Sequence, residues 1–392
     1  MTDKSYLQPD AVLAGARAAS GLEDFDDMRW FEPCRRWLEA VVAEAPLTET
    51  GVLALQQSVI GPIVGRLRVA DLVRRHPEIL DEYVDDPIII IGMTRTGTTK
   101  LQRILAADPS VQSLPLFRLL NPAPLPGESP GQSHLRSAIA HEASGYLRAN
   151  SPDFFAAHPM IPDEPDEEIV AIEFDTLLPC LRADVPSYRK WWMERPRSER
   201  AHMYSYLRLV LQCAQWEEGG RRGRPFVLKS PMHLGELRCL SQAFPRATIV
   251  NTHRDINTSV ASSARLFELF GHSYSDDVDP RRIGRGVLEI FAADFAHNLA
   301  DRATLGKDLT LIDVQYDDIK NDSTSVIREI WASRGRRLTE ADEERIADWE
   351  LSNPQHQHGK HSYALEHYGL TTAEVASAFE AYLTAFPESE SS

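Results

Sequence analysis

Residues 87–99 read PIIIIGMTRTGTT, and this stretch decides the fold. Ile88 to Ile91 form a short, fully apolar, β-branched run, the pattern of a central parallel strand covered on both faces. Gly92 and Gly97 then bound a loop, and a helix is predicted over Thr99 to Ala107, stopped by Asp108-Pro109. A strand, a glycine-bounded loop and a helix together aim backbone N–H groups and a helix N-terminus at an anion. The spacing nearly matches a Walker A loop, but Thr98 stands where that motif has lysine. A triphosphate loop needs the lysine on its β/γ-phosphates and a hydroxyl on magnesium. Here the cation is Arg95, at the apex, and an arginine grips a phosphate or sulfate fork-wise with no metal bridge. The loop therefore predicts an anionic nucleotide without a γ-phosphate. A turn that merely reverses the chain is the blander reading; the agreement of strand, spacing and helix speaks against it.

Outward from the loop, residues 1–85 read as a helical N-terminal extension. Helical patterns cover Asp10–Ala19, Arg36–Ala45 and Thr48–His76, with Gly61-Pro62 expected to interrupt the last. Residues 86–392 form the second predicted domain. Within it, a long irregular insertion with helical pieces, about 113–200, is dense in proline; Asp166–Leu178 and Arg197–Glu218 read as helices. Strands are predicted at Pro225–Lys229, Ala247–His253 and Thr310–Val314, with helices at Leu234–Phe244 and Ser323–Arg334. This alternation predicts an α/β fold: a P-loop-like three-layer parallel sheet flanked by helices.

Composition narrows the classes. The 392 residues are 43% hydrophobic and 26% charged, ordinary globular material, with a net charge of −16. So acidic a chain disfavours nucleic acid as partner and requires local donors for any anion site. No apolar run reaches membrane-spanning length, and the N-terminus lacks the basic-then-apolar pattern of a signal peptide. Cys34, Cys180, Cys213 and Cys239 form no CxxC pair and read as buried reduced thiols, so a cytoplasmic location is expected.

A second anion site is expected at THRDINTSVASS, Thr252 to Ser263. Arg254 follows an apolar strand, Asp255 suits a helix cap, and Ser259 and Ser262 line the first turns of the next helix. An ordinary capped turn is the competing reading. Near the C-terminus, His356, His358 and His361 are closely spaced, but they fit no structural zinc pattern, and no metal is expected.

Taken together, these segments resemble the sulfotransferases that use 3′-phosphoadenosine-5′-phosphosulfate (PAPS), in particular the bacterial branch with a helical N-terminal extension. TRTGTTK (Thr94–Lys100) resembles that family's PKSGTTW, with Arg95 in place of lysine. Arg254 and Ser262 match its arginine followed by a serine eight positions later. LKSPMHL (Leu228–Leu234) resembles its strand ending in lysine near a histidine, VQYDDI (Val314–Ile319) its RYEDL, and HGKHSYALEHYGL (His358–Leu370) its glycine-and-basic loop over the 3′-phosphate. The resemblance spans roughly residues 86–370.

The resemblance implies a sulfotransferase with PAPS as co-substrate, no metal, and a small or lipophilic hydroxyl or amine compound as acceptor, its pocket shaped by the insertion. Arg95 with the amides of Thr96, Gly97, Thr98 and Thr99 would hold the 5′-phosphosulfate. Arg254, Ser262 and Lys360 would hold the 3′-phosphate, and Lys229 would supply the catalytic cation. The implied base is His233, although the cytosolic branch has its histidine two residues after the lysine, where this chain has Pro231. His158, Glu164, Glu167 and Glu168 are alternatives. Lys100 stands where that branch stacks a tryptophan on adenine; Trp191 and Trp192 are the candidate substitutes, packing being the plainer role for both. A magnesium-dependent P-loop kinase and a non-catalytic anion-binding module are the rival readings. A homodimer is one option for assembly.

Overall fold

The computed structural model describes residues 2–220, 223–305, 309–353 and 364–387. The chain packs as two compact units. One comprises Met1–Val84, Leu114–Arg222 and Phe267–Val278; the other comprises Asp85–Ser113, Gly223–Leu266 and Asp279–Ser392.

The first unit is helical. Its longest helix, Glu49–Arg75, runs unbroken through Gly61-Pro62, against the expected interruption. Proline inside a helix removes one hydrogen bond and costs about 3 kcal/mol. Here buried residues on both sides of it, from Val52, Leu55 and Val59 to Ile63, Leu67 and Leu72, hold the helix in register. Val69 and Leu72 share a core with Ile79, Ala123 and Cys213. The same helix carries Arg66 inward, where it pairs with Asp175 at 2.9 Å and lies 3.9 Å over the Tyr206 ring.

The predicted helix Asp166–Leu178 is instead a set of short turns: Ile169–Ile172, then 3-10 turns at Glu173–Asp175 and Leu178–Leu181. The cause is electrostatic. Glu173 and Asp175 are both buried, one bonded to Arg182 at 2.6 Å and the other to Arg66 and His202. Residues two apart lie on opposite sides of a regular helix, so these turns let each acid reach its own buried cation. The insertion also carries more regular structure than expected, including a 17-residue helix, His134–Asn150. Only Arg136 and Ala140 of that helix are buried, so its sequence shows little apolar periodicity.

The second unit holds the sheet. Strands β1 (Ile88–Ile91), β2 (Val227–Lys229), β3 (Thr248–His253) and β4 (Thr310–Gln315) are all parallel, in the order β2-β1-β3-β4. Ile88, Ile90, Val227, Val250, Ile312 and Val314 share one face and pack on Leu101, Ile104, Ile327 and Ile330 of the helices Thr98–Ala106 and Ser323–Ser333. On the opposite face His253 stacks on Phe386 and meets Tyr382 of the helix Glu380–Ala385, while Arg302 of the helix Pro280–Leu305 grips Asp313 of β4. Burial pushes the Asp313 carboxyl up, but its bonds from His253 and Arg302 outweigh that and hold it well below the usual carboxylate range. These layers make the predicted three-layer α/β sheet.

Element boundaries also move. The helix after the loop begins at Thr98, one residue early. The helix predicted over Leu234–Phe244 is shorter, Leu237–Ala243, and a separate 3-10 turn, Pro231–His233, precedes it. The strand order places β1 beside β3, although the next strand after β1 in the chain pairs with its other edge. The crevice at the carboxyl ends of β1 and β3 is therefore the topological switch point, where open α/β sheets bind their ligands.

Candidate active site

Two chain segments leave the sheet at that switch point: the loop after β1 and the Arg254 turn after β3. Each residue of the loop is held for a reason. Gly92 has φ 145°, and a Cβ there would lie 2.2 Å from Thr252 Oγ1, so only glycine lets the loop pass this close to β3. The buried Thr96 hydroxyl is 2.7 Å from the Met93 carbonyl and 2.6 Å from the Thr252 hydroxyl. Thr94 Oγ1 meets Ser263 Oγ at 2.5 Å. Gly97, at φ 86°, starts the helix Thr98–Ala106, whose first N–H groups point back into the turn.

Between these tethers Arg95 takes a left-handed conformation, φ 69°, which costs a non-glycine residue about 1–2 kcal/mol. Its side chain is exposed and makes no hydrogen bond or ion pair among the described residues. The loop thus holds a strained arginine at its apex and spends none of that guanidinium on the fold. Lys100, just beyond, is engaged elsewhere: Nζ donates to the Ile319 carbonyl at 2.9 Å and pairs with Glu350 at 2.5 Å. It does not take the missing Walker lysine's place.

Arg254 donates to the Arg95 carbonyl at 2.7 Å and lies 4.0 Å over the Tyr316 ring. It is therefore a brace for the loop apex as well as a cation at the strand end. Asp255 caps the helix Ile256–Gly271 by accepting from the Thr258 N–H at 2.7 Å. Ser259 and Ser262 are buried on its first turns. Lys229 closes β2 in register with Ile90 of β1, only 1% exposed. The Ser230 N–H extends this pairing to the Ile90 carbonyl, and the Ser230 hydroxyl caps the turn that carries the buried His233.

The structure therefore brings Arg95, Thr96, Gly97, Thr98, Thr99, Arg254, Lys229 and His233 to the carboxyl ends of three adjacent strands, with Ser262 on the helix after β3. Lys360 and the histidines 356, 358 and 361 lie outside the described residues. Trp191 and Trp192 pack with arginines: Arg36 lies 4.9 Å over Trp191, and Arg200 lies 4.9 Å over Trp192. Glu168 is buried, 1% exposed. Tyr316, within the segment Val314–Ile319, is a site residue that its sequence context alone does not mark. The Tyr316 ring lies against both Arg254 and the Gly97 backbone, where a Cβ would sit 3.3 Å from it. All four cysteines are buried thiols. Among the described residues, no helix is long and apolar enough to cross a membrane, and no three His, Cys, Asp or Glu side chains cluster to hold a metal.

A switch-point crevice that gathers Arg95, Arg254 and a helix N-terminus offers donors to an anionic ligand. Residues 87–340 match the Sulfotransferase family, and the chain belongs to it. Among solved structures, the sulfotransferase STF1 from Mycobacterium tuberculosis H37Rv is 26% identical, with a TM-score of 0.82 over 95% of this chain and 98% of that one. The sulfotransferase STF9 from Mycobacterium avium is 23% identical, with a TM-score of 0.87 over 99% of each chain, a likeness of fold. Among curated proteins no sequence matches the chain. The protein is a transferase of the sulfotransferase class.

Proposed function

We propose that this enzyme moves the sulfuryl group of PAPS to a hydroxyl or amine of a small or lipophilic acceptor, without a metal. The observation that carries this reading is Arg95: an exposed guanidinium on a left-handed backbone, unpaired among the described residues, in a loop with no lysine. A triphosphate loop relies on its lysine and on magnesium to neutralise the β/γ-phosphates; a phosphosulfate, with its two singly charged ends, suits a fork-shaped cation and the loop amides.

In the proposed mechanism Arg95 and the amides of Thr96 to Thr99 hold the 5′-phosphosulfate, and Arg254 and Ser262 hold the 3′-phosphate, with Lys360 as a further donor. The acceptor oxygen attacks sulfur in line with the bond to the 5′-phosphate. As the new S–O bond forms, the old one breaks. The acceptor proton passes to His233, and the leaving phosphate gains charge beside Arg95 and Lys229. Cations fixed in place before the reaction stabilise that charge without reorganising. Segment 113–200 is proposed to select the acceptor.

Calorimetric titration with 3′-phosphoadenosine-5′-phosphate, the desulfated donor, tests the reading. Micromolar binding without magnesium is expected, followed by transfer of labelled sulfate to members of an acceptor library. No binding at that level overturns it, and a magnesium-dependent thermal shift with ATP but none with the desulfated donor favours a P-loop kinase instead. Lys229→Met, which keeps the buried aliphatic stem, is expected to lower kcat by about 100-fold while changing affinity for the desulfated donor by less than about threefold. Steady-state kinetics beside calorimetry reads this, and equal losses in both would reduce Lys229 to a binding role.

A further inference from the structure

The helix after Arg254 carries a hydroxyl that this mechanism does not use. Ser259 is 1% exposed, and its Oγ has no hydrogen-bond partner among the described residues. A serine inside a helix can bond the carbonyl four residues back. Here the Asp255 carbonyl takes the Ser259 backbone N–H at 3.1 Å, and the hydroxyl is left without a partner. A buried polar group without a partner is costly, and such groups are rare unless a ligand or water completes them.

Ser263 shows which way this face points. Its Oγ meets Thr94 of the loop at 2.5 Å and donates to the Ser259 carbonyl at 2.7 Å. Residues four apart share a helix face, so Ser259 lies on the loop side, one turn nearer the end where the chain arrives from Arg254. Arg254 in turn reaches the Arg95 carbonyl at 2.7 Å. An arginine, the N-terminus of the 16-residue helix Ile256–Gly271 and a buried donor without an acceptor converge beside one loop.

We propose that the Ser259 hydroxyl donates a hydrogen bond to a phosphate oxygen of the bound nucleotide, beside Arg254 and the loop. The inference rests on the PAPS reading above and adds a residue to it. It also predicts opposite signs for two measurements. In Ser259→Ala, removing an unsatisfied hydroxyl and adding the best helix former raises the thermal midpoint of the nucleotide-free protein or leaves it unchanged. The same change weakens binding of 3′-phosphoadenosine-5′-phosphate by about tenfold or more, the worth of a hydrogen bond to a charged group. Ser259→Cys, nearly the same shape with a weaker donor, is expected to fall between.

The experiment is calorimetry of wild type and both variants with 3′-phosphoadenosine-5′-phosphate, adenosine 5′-phosphate and adenosine 3′-phosphate, beside thermal melts without nucleotide. The loss should persist with whichever monophosphate retains the phosphate that Ser259 contacts. Wild-type protein that binds none of the three nucleotides overturns the donor reading, and this inference with it. Wild-type binding with variant affinities within about twofold overturns the Ser259 assignment alone. A lowered melting midpoint with unchanged affinity gives the hydroxyl a structural role and also overturns it.

Discussion

Arg95→Ala is expected to lower sulfuryl transfer by about 10²–10³-fold, the loss typical of removing one preorganised donor from a developing charge. The fold should be untouched, because the Arg95 side chain holds nothing in place among the described residues. Arg95→Gly sharpens the test. It removes the same guanidinium but relieves the left-handed backbone at φ 69°, so it should be more stable than wild type by about 1 kcal/mol while equally impaired. Transfer of labelled sulfate reads the first effect and urea unfolding the second. Activity within about tenfold of wild type in either variant would show that the loop's cation is not where charge develops.

Gly92→Ala is expected to damage the fold itself. An alanine Cβ would lie 2.2 Å from Thr252 Oγ1 and 2.7 Å from the Thr252 carbonyl, and its φ of 145° is one that L-residues rarely adopt. Neither contact is with the end of a flexible side chain, so β1 and β3 must move apart or the loop must be rebuilt. A loss of about 3 kcal/mol or more is expected, with nucleotide binding lost as well. Gly97→Ala provides the contrast: at φ 86° it carries a left-handed backbone penalty of about 1–2 kcal/mol but no clash with backbone. Its Cβ would sit 3.3 Å from the Tyr316 ring and Ile319 side chain, which can shift by a few tenths of an ångström. Urea midpoints of the two variants should differ widely, and a Gly92→Ala protein within about 0.5 kcal/mol of wild type would contradict the close approach to β3.

The sheet was legible because its signals are local. Four apolar runs, each followed by turn or cap chemistry, match β1 to β4 closely, and TRTGTT announces its own loop. What escaped reading was set by contacts distant in sequence. Nothing near Pro62 shows that a buried stripe will carry the helix through it. Nothing in Asp166–Leu178 shows that Glu173 and Asp175 will face Arg182 and Arg66, residues that break the periodicity by drawing acids inward. Of the site, Arg95 and Arg254 were legible as cations at strand ends. The second role of Arg254, bracing the Arg95 carbonyl, and the Tyr316 ring beneath it required the register of β1, β3 and β4.

The three contacts that shape the loop also fix when it can exist. Thr94 to Ser263, Thr96 to Thr252 and Arg254 to Arg95 join residues 169, 156 and 159 positions apart. A chain growing from its N-terminus holds the whole glycine-bounded motif long before it holds any of these partners. Closing such distant contacts carries an entropy cost that local motifs avoid, so this step belongs late in folding. On the proposed reading, the nucleotide then recognises only finished molecules and draws the folding equilibrium toward them by mass action. Donor supply in the cell would set how much of the enzyme survives as well as how fast it works.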